Sequence, residues 1–330
     1  MARAAGTSTA VVSYVLNDGP RPVSSETRQK VLDAVESTGY RPDAIARALA
    51  SGASRTLGMI VPDIANAFFT DLTDAVEEAA SDAGLLLLLG DSDEDPARER
   101  ELAESFVGRR VDGLLLVSVR PELDGRWVSS AGVPVVLLDR TIHDTRIHAI
   151  TVDNHAGARA ATEHLVEHGY SRIGLLGGPV DKPTAHARLD GWSDALRAAG
   201  REPDPDLVAH VPFTRHGGYE ASLSLLDGTE PPDALFVASE QQAVGLLRAT
   251  AKLGLRVPED LALITFDGTE ISEYCTPQLT TVAQPIAAIA ADAIALITHH
   301  ENHGKQITHR PELIIRHSCG CTPSAPHEKG

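Results

Sequence analysis

The hydrophobic pattern changes period near Arg55. Before it, apolar residues recur at helical spacing. Ser8 is placed to cap a helix running to about Leu16, with Val11, Val12 and Val15 on one side. Asn17-Asp18-Gly19-Pro20 breaks it. Ser24 or Ser25 starts a second helix, with Val31, Leu32 and Val35 at helical spacing, ending at Gly39. Arg41-Pro42 restarts the chain, and Ala44 to Leu49 is a short helix-like piece ended by Ser51-Gly52.

From Arg55 onward short apolar strands alternate with amphipathic helices. The strands are LGMIVPD, LLLLLGDSD, DGLLLVSV, VPVVLLD, AITVDN, RIGLLGG, ALFVAS, LALITFDG and LTTVAQP; between them lie helix-length segments such as Phe68 to Ala83 and Gln241 to Leu253. Repeated strand–helix units predict an α/β fold with parallel sheets covered on both faces. There are more strands than one small sheet holds, which predicts two lobes. In such lobes ligands bind at the carboxyl ends of the strands, where this chain carries Asp63, Asp91, Asp139, Asp153 and Asp267. Asp153 reads as a structural group near the crossover between lobes. After Ser318 the tail CGCTPSAPHEKG is expected to be disordered.

Composition narrows the class. The 330 residues are 42% hydrophobic and 23% charged, as in an ordinary globular protein. No apolar run approaches the roughly 20 residues of a membrane span; runs such as Leu85 to Leu89 are only strand-length. The first residues hold no apolar signal segment. Three cysteines, Cys275, Cys319 and Cys321, give no disulfide framework. Both points suit the cytoplasm. A net charge of −17 argues against a general nucleic-acid coat. The charge is uneven, however: Met1 to Leu57 carries seven Lys/Arg against five Asp/Glu, so a head of +2 sits on a remainder of −19. That distribution fits local DNA contact.

The ordered motifs AGTSTAVVSYVLN, VSSETRQKVLDAVESTGYRPDAIARALASG, TLGMIVPDIANAFF, ARLDGW, GLRVPEDLALITFDG and TPQLTTVAQP cover nearly the whole chain and resemble the LacI/GalR (lac-repressor) family of bacterial regulators. The resemblance implies a helix-turn-helix head over residues 1–40 and a hinge helix over 41–54. A two-lobed core like a periplasmic binding protein follows over 55–320, its first lobe at about 55–154 and 285–309 and its second at about 155–284 and 310–320, with a disordered tail at 321–330. It implies a homodimer on a pseudo-palindromic operator, most often a repressor, switched by a small effector between the lobes. It implies no cofactor, and the absence of a C-terminal heptad run predicts no coiled-coil tetramer. Met1 falls where the family has Val, inside its first helix, so the true start is expected upstream, with natural truncation the alternative.

Several site residues follow from the resemblance. Thr9, Ala10 and Tyr14 match base-reading positions, and Ser8, Ser13 and Asn17 match backbone-contacting ones. Many members have Arg where this chain has Tyr14, and tyrosine lacks the bidentate contact to guanine, so the operator is expected to differ at that base. Ala46 and Leu49 are hinge contacts, Leu49 at the position that wedges into the minor groove. Phe68, Asp139, Arg140, Arg188, Phe213, Ser239 and Asp267 match effector contacts. Carboxylates and guanidinium forks suit vicinal hydroxyls, and aromatic faces suit a sugar ring; Arg188 is equally suited to a carboxylate or phosphate. Phe69 and Trp192 read as core. Ser239-Glu240 departs from the Asn-Asp common in the family, which puts any transferred sugar specificity in doubt.

Other signals carry less. GLLGG lacks the full dinucleotide fingerprint. His299 and His303 have i,i+4 spacing, and His300 and His309 lie near, yet no Cys or carboxylate completes a metal site, so a solvated helix end is expected. Cys319 and Cys321 lie in the tail without a second pair, which argues against zinc. No nucleophile elbow, His-Glu-x-x-His or Walker loop occurs, so no enzyme is expected. The alternative reading is a solute-binding protein, or a sensor core that a shortened head leaves without DNA binding.

Overall fold

The computed structural model describes residues 1–16, 21–40, 52–119, 132–139, 147–299 and 303–321. Asn17, Ala46, Leu49, Arg140, nearly all of the expected hinge and residues 322–330 lie outside them. The chain divides into two compact units, Met1–Ser54 and Arg55–Gly330.

In the head, α1 (Thr9–Leu16) and α2 (Ser25–Thr38) follow a compact turn over residues 2–6. Ser8 Oγ accepts the Val11 N–H at 3.2 Å, and Ser24 caps α2 by accepting the Thr27 N–H at 3.3 Å. Caps of this kind contribute about 1 kcal/mol each. Val12, Val15, Val31 and Ala34 form a small core that Ala5 closes from the preceding turn. Leu32, expected on the buried side of α2, is 43% exposed, and Ala34 takes the inward position.

In the larger unit, β1 (Thr56–Val61), β2 (Leu86–Asp91), β3 (Gly113–Leu116), β4 (Val135–Leu138), β5 (His148–Val152) and β11 (Gln306–His309) make a parallel sheet in the order β11-β5-β4-β3-β1-β2. A second sheet, in the order β12-β10-β9-β8-β6-β7, joins β6 (Ile173–Gly177), β7 (Val208–His210), β8 (Ala234–Val237), β9 (Ala262–Asp267), β10 (Thr280–Ala283) and β12 (Glu312–Ile314). It is parallel except that β12 pairs antiparallel with β10. The expected two-lobed α/β fold with parallel sheets is what forms. The short strands β7, β11 and β12 are additions at sheet edges.

Helices cover both faces of each sheet. In the first lobe, α3 (Ala67–Asp82) and α10 (Ile286–Thr298) pack Phe68, Leu72, Val76, Ile289 and Ile297 against Leu57, Met59 and Val61 of β1. On the opposite face α4 (Pro96–Gly108) sets Ala103 and Phe106 against Ile60, Leu114 and Leu116. In the second lobe, α5 (Asn154–Glu167) and α6 (Pro183–Ala198) bury Leu165 and Trp192 against Phe236 and Phe266. There α7 (Arg215–Leu226) and α8 (Glu240–Leu253) cover the other face. A short helix, α9 (Ile271–Tyr274), follows β9. Full burial of each such Leu or Phe contributes roughly 1.5–3 kcal/mol.

The carboxyl-terminal segment corrects the sequence reading. Ser318 and Cys319 are fully buried, and Cys319 belongs to the core of the second lobe. Ser318 Oγ donates to Leu263 O at 2.7 Å and accepts the Thr280 N–H at 2.8 Å, stitching the chain end to β9 and β10. The expected disorder therefore does not begin after Ser318, and Cys321, placed in the tail, is half-buried against α5. Among the described residues no helix is long and apolar enough to cross a membrane.

Candidate functional site

The carboxyl ends of both sheets open onto one cavity of about 520 Å³ between the lobes. Strand ends deliver its polar groups: Asp63 after β1, Asp139 after β4, Ser239 after β8, Asp267 at the end of β9 and Gln284 after β10. Each strand must surrender its ladder hydrogen bonds where it ends, so side chains and backbone there are free to turn toward a ligand. Of the predicted effector contacts, Phe68, Asp139, Arg188, Phe213, Ser239 and Asp267 all line this cavity. Of the five strand-end aspartates, Asp91 and Asp153 do not. Asp91 accepts the Asp93 N–H at 2.9 Å, and Asp153 caps α5 by accepting the Ala156 N–H at 2.9 Å.

Arg188 is the centre of the polar cluster. It is 4% exposed. Its Nε donates to Asn154 Oδ1 at 2.8 Å, one Nη donates to the carbonyl of Ala238, and the same nitrogen lies 3.8 Å from Asp267 Oδ1. The guanidinium carbon stands 3.7 Å from the centre of the Phe266 ring. Burial pushes its pKa down, while Asp267 and Asp139 oppose the shift.

Asp267 is equally enclosed. Its Oδ2 accepts the Glu240 N–H at 3.1 Å and its Oδ1 accepts Gln284 Nε2 at 3.1 Å. Burial raises its pKa to about 6, against the pull of Arg188 and these hydrogen bonds. Asp139 (φ 58) and Asp267 (φ 123) both hold left-handed backbone. For residues other than glycine this costs of order 1–3 kcal/mol each, and such strain collects at binding sites.

Phe213 packs directly over Gly178, where a β-carbon would fall 2.1 Å from the ring. The glycine thus lets an aromatic face lie across the cavity wall. Phe68 and Phe69 meet edge to face at 5.3 Å on the opposite lobe. Phe69, expected in the core, both packs on the core and borders the cavity, whereas Trp192 is fully core. Lys182 of the second lobe and Glu94 of the first form a salt bridge at the cavity's rim.

Five contributing residues were missed by sequence reading. Asn154 orients Arg188 from a position 34 residues away. Gln284 lines the cavity and donates its Nε2 to Asp267, while its Oε1 is buried with no hydrogen-bond partner among the described residues. The Lys182–Glu94 bridge was not foreseen. Glu240, half of the noted Ser239-Glu240 departure, turns inward. It accepts the N–H groups of Gly268 at 2.9 Å and Thr269 at 3.0 Å, and the Thr281 hydroxyl at 3.1 Å. It therefore braces the turn behind Asp267, while Ser239 spends its hydroxyl on the N-cap of α8, accepting the Gln242 N–H at 3.3 Å. Their only advance signal was position: Gln284 follows β10 and Asn154 follows β5, both strand ends.

In the head, Ser8, Thr9, Ala10 and Ser13 are exposed along α1 and its cap, and Tyr14 is half-buried beside them. They share the side of α1 opposite Val12 and Val15, as a helix held by its inner face must present them.

Comparison with known proteins agrees across the chain. Residues 1–43 match the model of bacterial regulatory proteins of the lacI family, and residues 162–319 match that of a periplasmic binding protein-like domain. The chain is 35% identical over 322 residues to the HTH-type transcriptional repressor CytR of Escherichia coli (strain K12), covering 96% of this chain and 94% of that protein. The transcriptional regulator CelR in complex with cellobiose superposes with a TM-score of 0.74 at 30% identity, covering 96% of this chain and 98% of that one. The lac repressor dimer bound to operator and the anti-inducer ONPF gives a TM-score of 0.84 at 26% identity, covering 96% and 97%.

Proposed function

This chain belongs to the lacI family of bacterial regulatory proteins, and from that premise we propose that its inter-lobe cavity takes a neutral polyhydroxy effector of the sugar class. The protein is a DNA-binding transcriptional regulator of the repressor type, not an enzyme. The observation that carries the effector reading is the convergence of Phe68, Asp139, Arg188, Phe213, Ser239 and Asp267 on one cavity, which Gln284 also lines. The described lining holds five carboxylates (Asp63, Glu94, Asp139, Asp181, Asp267) against Lys182 and Arg188. That surplus repels an anion, and Arg188 already spends its Nε and one Nη on Asn154, Ala238 and Asp267. Hydroxyl groups satisfy carboxylates and amides without bringing charge.

Closure of the lobes on such an effector is the means of control. A ligand that favours one lobe arrangement biases the spacing of the two heads in a dimer, and operator affinity shifts by the coupling free energy. Ile64 and Leu89, 51% and 46% exposed, border one hollow on the first lobe, an exposed apolar patch that supports a homodimer. Ser8, Thr9, Ala10, Ser13 and Tyr14 are proposed to read a pseudo-palindromic operator in the major groove. Regulation of this kind takes place in the cytoplasm, where the DNA is.

The test is binding of the chain to DNA upstream of its own gene across a salt series, with and without a panel of pentoses, hexoses, disaccharides and nucleosides. Saturable, sequence-selective binding that one class of polyhydroxy compound shifts is the expected result. Its salt slope counts phosphate contacts. A shift produced only by phosphorylated or carboxylated compounds refutes the neutral-effector reading.

A further inference from the structure

Far from the cleft, four side chains with metal-binding chemistry meet at the end of α5. His164 lies in the last turn of that helix and His168 caps it. Spaced i,i+4, both imidazoles project from one face, with ring centres 4.6 Å apart. The carboxyl-terminal segment brings Cys319 and Cys321 against them. Cys321 Sγ lies 3.1 Å from His168 Nε2 and 3.5 Å from His164 Nε2. The four ligand atoms all fall within 4.8 Å of one another.

We propose that His164, His168, Cys319 and Cys321 form a structural zinc site. Two thiolates and two imidazoles are a donor set that zinc holds tetrahedrally, with bonds of about 2.3 Å to sulfur and 2.0–2.1 Å to nitrogen. Those bonds place neighbouring ligand atoms about 3.3–3.8 Å apart, close to the separations already present. Only small side-chain movements separate the cluster from that geometry.

The surroundings supply what such a site needs. Gly320 turns the chain with φ 93, and a β-carbon there would strike the Tyr170 hydroxyl at 2.6 Å. The Cys-Gly-Cys spacing thus points both sulfurs toward the histidines. The Thr280 hydroxyl donates to Cys319 Sγ at 3.1 Å, a hydrogen bond that stabilises a thiolate. Tyr170 donates to the carbonyl of Cys319 at 3.1 Å, and its ring stacks on His168. The site faces solvent on one side, because His168 is exposed while Cys319 is fully buried. A bound ion therefore has a path of entry and a protected half. On the chain the cysteine pair had no second pair. The fold supplies it as His164 and His168, 157 and 153 residues before Cys321.

Zinc there would pin the carboxyl-terminal segment to α5. Each bound thiol must lose its proton to the solvent on ligation.

The full chain, reduced and stripped of metal, is titrated with Co2+ as a spectroscopic stand-in for zinc. The expected result is one equivalent per chain, with thiolate-to-cobalt charge transfer and the visible bands of a tetrahedral centre, both displaced by Zn2+. Cys321→Ser and His168→Gln should each weaken binding about tenfold or more, since losing a ligand costs no less than losing an outer-shell partner. Should Cys321→Ser fail to fold, His168→Gln decides, because its side chain is exposed. Three outcomes overturn the site: absence of the thiolate band, unchanged affinity in His168→Gln, or a Cys319–Cys321 disulfide as isolated whose reduced form takes up no metal.

Discussion

Arg188 and Asp267 face each other 3.8 Å apart, each about 95% withdrawn from solvent, with the Phe266 ring beneath the guanidinium. Such a pair is not a source of net stability; desolvation of two ions offsets most of their attraction. Breaking it is another matter. Arg188→Ala strands a buried carboxylate and releases Asn154 and the Ala238 carbonyl, so a stability loss of about 3–5 kcal/mol is expected in denaturant unfolding. Arg188→Lys keeps the charge but cannot hold both Asn154 and Ala238. It should fold and lose effector affinity by about 10-fold or more, roughly the worth of one charged hydrogen bond. Calorimetric titration with the effector checks both, and wild-type affinity in Arg188→Lys would remove Arg188 from the site.

Effector affinity should fall in mild acid. Asp267 titrates at about 6, raised by burial, and its ionised form is the better acceptor for ligand hydroxyls. A ligand that prefers the carboxylate binds best above that value and loses up to about tenfold per pH unit below it. Dissociation constants measured from pH 5 to pH 8 test this. Asp267→Asn should flatten the profile while lowering affinity at pH 8.

What the sequence disclosed depended on how local the cause was. The helices of the head were legible because Ser8 and Ser24 cap them and Val12, Val15 and Val31 repeat at helical spacing. The central strands were legible as uninterrupted apolar runs. The edge strands were not: β11 alternates exposed and half-buried residues over Gln306–His309, and no such four-residue pattern stands out from a loop. In the cleft, Arg188 and Asp267 were visible through motifs, while Asn154 and Gln284 were not, because their roles exist only once the fold sets Asn154 against Arg188 of α6 and Gln284 against Asp267 of the neighbouring strand. The buried Cys319 was read as tail for the same reason. Read along the chain, Ser318 and Cys319 gave no hint that Leu263, Thr280 and the core around α5 would close on them.

The rim bridge between Lys182 and Glu94 joins the two lobes and should slow effector escape. Lys182 is largely buried and Glu94 half-exposed, so the pair is worth about 0.2–1 kcal/mol. Glu94→Gln should raise the effector dissociation rate by about 1.4- to fivefold, corresponding to that range. High salt should shrink the difference between wild type and variant. Lys182→Gln with Glu94→Gln should behave like the single changes. Stopped-flow release of effector distinguishes this from direct contact, in which the two substitutions would add.

Glu240 sets the last expectation, on stability rather than binding. Burial, followed by the nearby charge of Asp267, raises its pKa to about 7, while the hydroxyls of Thr269 and Thr281 hold the shift back. In the unfolded chain it returns to its ordinary value of 4.5. Between those two values the folded state binds more protons than the unfolded, so stability must decline as pH rises through this window and level off above about 7. A shift of this size is worth roughly 3 kcal/mol. Urea unfolding at pH 5 and pH 8 should therefore show the protein more stable at pH 5 by an amount of that order, apart from the smaller contribution of Asp267. Glu240→Gln removes the titration but leaves one amide oxygen for the Gly268 and Thr269 N–H groups. It should be less stable than wild type at pH 5 and differ less at pH 8, with most of the slope gone. A slope unchanged in the variant would mean that the four donors around Glu240 keep it ionised throughout, and that the brace behind Asp267 is charged at every pH at which the protein folds.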